Sequence, residues 1–176
     1  KNIFKNTFLP STSKNVGVHL AQSEYIAFMD CDLNFKSDWI LDQYTALTKN
    51  NLDVVFGNVM LKGNSIFDIS CVAHTYGYEK INECVPGTIL KKSCFKVTGD
   101  FLNHRAGYDP QWRKEVKKKL KYGFSNMCPL TYMNTNYAKN LYDLINKTVL
   151  YTSSSSKISL SVKNILLLII FSIMFL

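Results

Sequence analysis

The sequence predicts an α/β fold, with a mixed, mostly parallel sheet flanked by helices and a hydrophobic helix at the C-terminal end. Three observations carry that expectation. Amphipathic and strand-like segments alternate between residues 11 and 60, the rhythm of an α/β layer. The runs "EYIAFMD" and "LDVVFGNVML" are rich in aromatic and branched residues that suit a pleated, buried setting. The chain closes on "NILLLIIFSIMFL", which is apolar all round.

The first helix is expected over "STSKNVGVHLAQ", with hydroxyl caps at Ser11 to Ser13 and Val16, Leu20 and Ala21 on one side. "EYIAFMD" follows as a strand. Ser37 then caps a second helix, whose first turn holds Asp38 and whose apolar stripe is Ile40, Tyr44 and Leu47. "LDVVFGNVML" is the next strand, turned at "KGN". Residues 65–84 read either as a helix or as an irregular excursion over the sheet. "PGTILKKSCFKVTGDF" gives a turn, a short strand and a short helix closed by Gly99. "DPQWRKEVKKKLKYG" is a helix with Pro110 in its first turn and Gly123 at its end. A further helix fits "NYAKNLYDLINKTVLY", and no internal repeat interrupts the series.

These elements divide the 176 residues into a domain over 1–152, a polar hinge at 153–157 and a hydrophobic helix over 158–176. A bilayer span needs roughly 20 apolar residues. The last segment is shorter than that, so it reads as a truncated transmembrane helix, with a buried core helix as the other option. Lys157 and Lys163 precede the apolar run, and the positive-inside bias would leave the domain on the cytoplasmic side. The chain starts at Lys1 and stops within an apolar run, as a part of a longer protein would.

Lysine and arginine number 21 against 13 aspartates and glutamates, a formal net charge of +8. Much of the excess lies in "RKEVKKKLK", which is either a solvated helix face or an attractor of anions. No nucleic-acid-binding motif accompanies it, so a membrane surface suits the charge better than DNA or RNA. Five cysteines without a C-x-x-C pair argue against both a disulfide framework and a zinc site. His19, His74 and His104 are equally scattered.

The chemistry concentrates in "YIAFMDCDLNF". In an α/β sheet, ligands gather beyond the carboxyl ends of the strands. Asp30 and Asp32 stand there two residues apart, a spacing that puts both side chains on one face of an extended chain. Two such anions repel unless a cation lies between them. Magnesium or manganese, hard ions that favour carboxylate and phosphate oxygens, would fit.

With these residues in view, "SKNVGVHLAQSEYIAFMDCDLNFKSDWI" resembles the middle of a family 2 glycosyltransferase of the A-type nucleotide-sugar fold. Such enzymes place an Asn-x-Gly helix before a strand that ends in Asp-x-Asp, then begin a helix near a tryptophan, here Trp39. The likeness continues through "DVVFG", through "PGTILKKSCFKVTGDF" and into "RAGYDPQWRKEV", covering roughly residues 12–123 in order. It implies a domain that, in its full-length form, transfers a sugar from a nucleotide-diphosphate sugar to a hydroxyl on a glycan or lipid-linked acceptor, with inversion. Asp30 would lie near the ribose or the metal, and Asp32 would be the main ligand of a Mg2+ or Mn2+ ion. Asp109 matches the family's candidate general base, while Trp112 and Arg113 could touch the acceptor. Plain helix packing or surface pairing would serve those last two as well, and Asp109 also suits a helix N-terminus as a dipole-favoured carboxylate.

The sequence departs from the family in three places. Tyr108 stands where members carry Glu, no histidine occurs in 124–140, and the opening strand–helix–strand unit that cradles the base would precede residue 1. The chain alone is therefore expected to be inactive. The resemblance implies a partner set of sugar nucleotide, acceptor and membrane, without nucleic acid, at the cytoplasmic face of a bacterial inner membrane in polysaccharide or glycolipid synthesis. "PQWRKE" does not reproduce the Gln-x-x-Arg-Trp order of processive members, which favours single addition. The alternative is a non-catalytic, membrane-associated scaffold, for which Tyr108 is the best argument.

Overall fold

A computed structural model describes residues 9–30, 33–60, 65–69, 81–104, 107–124, 130–132, 138 and 140–154. The chain runs α1 (Pro10–Leu20), β1 (Tyr25–Ala27), β2 (Leu33–Asn34), α2 (Trp39–Lys49) and β3 (Val54–Met60). It continues with β4 (Ile81–Lys91), α3 (Cys94–Thr98), α4 (Tyr108–Lys119), β5 (Tyr122–Phe124), β6 (Leu130–Tyr132) and α5 (Leu141–Ser154). The strands form one sheet in the order β1-β4-β3-β6-β2, and β5 also pairs with β3.

The sheet is mixed, but it is not mostly parallel. β4 runs antiparallel to both β1 and β3, and β2 runs antiparallel to β6; only β5 and β6 lie parallel to β3 among the described residues. The helix–strand rhythm gave the right relation between β1 and β3, which share a direction. It carried no sign that a later strand would insert between them.

β3 divides the core. Val54 and Phe56 face a cluster with Val18, Phe28, Leu90, Phe95, Phe101, Trp112 and Val116. Val55 packs with Leu47 and Ile89 on the other face, and Val59 packs with Leu33 and Trp39. Alternating side chains of one strand thus bind a helical layer on each side. At the start of β3, Asp53 accepts from Lys91 Nζ at 3.0 Å and from the Lys121 N–H at 3.1 Å, which ties three segments together.

Several local expectations are corrected. Pro86 and Gly87 lie inside β4 rather than at a turn before it, because the ladder is broken there: pairing passes from Val55–Ile89 to Gly57–Cys84 across a bulge. A proline without an N–H is admissible only at such a break, and Gly87 takes the φ of +82° that the bulge requires. α2 buries Trp39, Gln43 and Leu47, so its inner stripe is turned by one residue and Ile40 and Tyr44 are exposed. Gly123 lies in β5 and does not end α4, whose C-cap is Leu120. Gly99, with φ +74°, does close α3 as expected. Among the described residues no helix is long and apolar enough to cross a membrane; the hydrophobic helix expected over 158–176 lies outside them, as does most of the 65–84 stretch.

The bulge is closely packed. A Cβ at Gly57 would stand 1.9 Å from the Pro86 carbonyl oxygen. Gly57→Ala is therefore expected to destabilise the fold by about 3 kcal/mol or more, since backbone must move to admit it. Urea unfolding of the variant beside the parent measures this, with Gly17→Ala, at a glycine whose Cβ would meet nothing within 4 Å, as the internal control.

Candidate active site

The site grows from the β4 bulge. Thr88 Oγ1 accepts from the Gly57 N–H at 3.0 Å and donates to the Cys84 carbonyl at 2.9 Å, so one hydroxyl closes the gap in the ladder. The same segment holds the end of β1. The Gly87 N–H donates to the Phe28 carbonyl at 2.6 Å, and the Phe28 N–H donates to the Thr88 carbonyl at 2.9 Å. Asp30 leaves the sheet two residues later. From the other face, Gln43 Nε2 donates to the Gly87 carbonyl at 2.9 Å.

Asp109 reaches the bulge from α4. Gly107 precedes that helix at φ +79°, a left-handed conformation that turns the chain sharply into the first helical residue. Asp109 accepts a hydrogen bond from the backbone of Val85, yet its Oδ1 is buried with no hydrogen-bond partner among the described residues. Burial raises the pKa of this carboxyl above its usual range. Lys14 and Arg113 oppose the rise, the charge of Asp30 adds to it, and the Val85 contact opposes it again. The Cys84 thiol beside it is pushed up to about 12 by burial, with the Asp109 charge as the next contribution, so it stays protonated.

α1 supplies the opposing wall through polar contacts. Its buried residues are Ser11 and Val18, while Leu20 is exposed, so the apolar stripe expected from Val16, Leu20 and Ala21 is not the docking face. Ser11 does not cap the helix; its hydroxyl donates to the His104 carbonyl at 3.0 Å. Asn15 clasps one residue at both backbone groups, donating from Nδ2 to the Phe101 carbonyl at 2.8 Å and accepting from the Phe101 N–H at 2.9 Å. The Asn of the Asn-x-Gly pattern is thus a clamp on the segment that leads to α4. At the preceding position, Lys14 Nζ donates to the Tyr108 hydroxyl at 3.0 Å and lies 4.0 Å from Asp30 Oδ1. Burial lowers the Lys14 pKa, but the Tyr108 hydrogen bond and the charges of Asp109 and Asp30 outweigh it, and the net change is upward.

The structure therefore brings Asp30 and Asp109 into one electrostatic neighbourhood, joined by Lys14 and Tyr108. Asp32 lies outside the described residues. Trp112 is only 3% exposed, stacks on Phe95 with centroids 5.4 Å apart, and donates its indole N–H to Thr98 Oγ1 at 3.1 Å. It is a core side chain, not one held out for an acceptor. Arg113 pairs with Glu83 through Nη1 at 2.8 Å, and Lys117 meets the other oxygen of the same carboxylate at 2.8 Å. Its guanidinium thus reaches β4, while its Nε is buried with no hydrogen-bond partner among the described residues.

Lys14, Asn15 and Glu83 were not singled out from the sequence. A lone lysine or glutamate has no legible signature. Asn15 did stand in the quoted motif, and its polar setting on the face of Ser11, Lys14 and Val18 was the available clue. Among the described residues no three His, Cys, Asp or Glu side chains gather as a metal centre. The donor chemistry nonetheless suits a hard cation: Asp30 is a partly exposed carboxylate, and the neighbouring Asp109 has an unsatisfied oxygen.

Comparison with known families gives a match to Glycosyl transferase family 2 over residues 4–117, which takes in α1, Asp30, the β4 bulge and Asp109. No curated protein matches the chain.

Asp109 binds its proton more tightly in the folded state than in the unfolded one, so its ionisation at neutral pH opposes folding. Stability from this group is full below the unfolded carboxyl pKa and is lost as pH rises through the folded value. Asp109→Asn is expected to raise the thermal midpoint at pH 7, with the gain vanishing below about pH 4, where both forms are neutral. Calorimetry across that range checks it; a loss of stability at pH 7 would mean that Lys14, Arg113 and the Val85 contact outweigh burial.

Proposed function

The chain belongs to glycosyl transferase family 2, and from that premise we propose that its full-length form transfers a sugar from a nucleotide-diphosphate sugar to a hydroxyl group of a glycan or lipid-linked acceptor, with inversion. The observation that carries the reading is the half-buried Asp109 carboxylate, its Oδ1 inaccessible, within the field of Asp30 just beyond β1. A base must hold the acceptor proton as the oxygen attacks, and a carboxylate with raised proton affinity does so better than an ordinary one. In this chain burial supplies that rise, which a neighbouring Glu would otherwise have supplied at position 108.

Asp30 and Asp32 are the residues that would hold a divalent cation. Bound there, magnesium or manganese supplies positive charge to the departing diphosphate. The chain's own part is to hold the site in shape: Asn15 fixes Phe101, Gly107 aims the first turn of α4, and the bulge holds the end of β1 ahead of Asp30 and meets Asp109 through the Val85 backbone. Displacement at the anomeric carbon from the face opposite the leaving group needs one base only, the role assigned to Asp109.

We extend the proposal to location. Residues 158–176 with Lys157 and Lys163 ahead of the apolar run support attachment at the cytoplasmic face of a membrane, of the bacterial inner-membrane kind. The acceptor would then be lipid-linked or a nascent surface glycan.

Incubating the full-length form of the protein with a panel of nucleotide-diphosphate sugars, Mn2+ and membrane extract is expected to release nucleoside diphosphate. Asp109→Asn should lower the turnover rate by about 10²- to 10⁴-fold, the range for losing a general base. Release that persists unchanged in Asp109→Asn and in Asp30→Asn would defeat the assignment. Complete absence of transfer in the parent would favour the scaffold reading to which Tyr108 points.

A further inference from the structure

The Lys14 ammonium sits where it serves more than one master. It is mostly buried, donates to the Tyr108 hydroxyl at 3.0 Å, lies 4.0 Å from Asp30 Oδ1 and 5.1 Å from the Tyr108 ring centroid. It also lies within the field of Asp109. The phenol of Tyr108 is neutral, so it positions the ammonium without cancelling its charge. A carboxylate at 108 would have formed an ion pair and taken Lys14 out of play. Tyr108 itself is fixed from behind by an edge-on contact with Phe101, at 5.7 Å between centroids, and Phe101 is the residue clasped by Asn15. The ammonium is therefore held near Asp30 by a rigid set of neighbours rather than by the carboxylate alone.

We propose that Lys14 is a built-in competitor of the divalent cation at Asp30, so that this site takes up a metal ion weakly until an anionic ligand draws the ammonium away. The inference rests on the proposed cation site. Two positive charges sharing one carboxylate at about 4 Å repel strongly enough to weaken ion binding by about tenfold or more at a partly buried site. The negative oxygens of a diphosphate would give the ammonium a second partner, and the cation and nucleotide would then enter together. Lys14 is thus a positioning residue that sets the order of binding.

The test is direct titration of the full chain with Mn2+ alone, followed by electron paramagnetic resonance of the free ion. Lys14→Met is expected to bind Mn2+ about tenfold tighter than the parent, and Lys14→Arg, which keeps the charge, to stay within about twofold of it. Lys14→Gln, which keeps a hydrogen-bonding group for Tyr108, should behave as Lys14→Met does and serves if the Met variant folds poorly. The gain must disappear when Asp30→Asn is added to Lys14→Met, since ions held elsewhere would be indifferent to that change. Equal affinity in parent and Lys14→Met overturns the competition while leaving the cation site in place. No binding by either at millimolar Mn2+ overturns both.

Discussion

The structure depends on one irregularity, the break in the β3–β4 ladder between Val55 and Gly57. In a regular ladder the backbone groups of an interior strand such as β4 alternate between its two neighbouring strands. The bulge turns those groups toward other segments instead. Gly87 and Thr88 hold the end of β1, the Val85 backbone meets Asp109, and the Gly87 carbonyl receives Gln43 from the opposite face. Backbone polar groups buried in a core must find partners, and here the partners come from β1, α2 and α4. Asp30 and Asp109 approach each other because both are referred to the same few residues.

Much of the secondary structure was legible because it follows from local pattern. β1, β3 and α2 fall where apolar periodicity and turn residues put them, and Gly99 closes α3 through its left-handed φ. What was not legible is non-local. Insertion of β4 between β1 and β3 depends on a return path through residues 61–80, whose sequence has no clean period. The Pro86-Gly87 pair reads as a turn to any local rule, yet the same chemistry, a missing N–H and an accessible positive φ, also makes a bulge. Only the partner strands decide between the two.

The site was legible in part for the same reason. Asp30 and Asp109 were reachable from motif order, and their shared neighbourhood is a product of the fold. The polar docking face of α1 defeats the usual search for apolar stripes, since Ser11, Lys14 and Asn15 do the work that Val16 and Leu20 were expected to do. Trp112 shows the opposite error. A tryptophan beside a proposed base looks like a sugar platform, whereas its indole fills the core and finds its hydrogen-bond partner in Thr98.

The attachment of α1 has a mechanical corollary. Among the described residues only Val18 of its side chains enters the main apolar cluster, and the other contacts are polar, to Asp30, Asp100 and residues 101–108. Water can replace hydrogen bonds at small net cost, but it cannot replace apolar packing. The attachment of α1 therefore depends on polar partners being in place to a degree that the apolar β3–β4 centre does not. The flank that carries Lys14 and Asn15 is in this sense latched to the frame and not moulded into it.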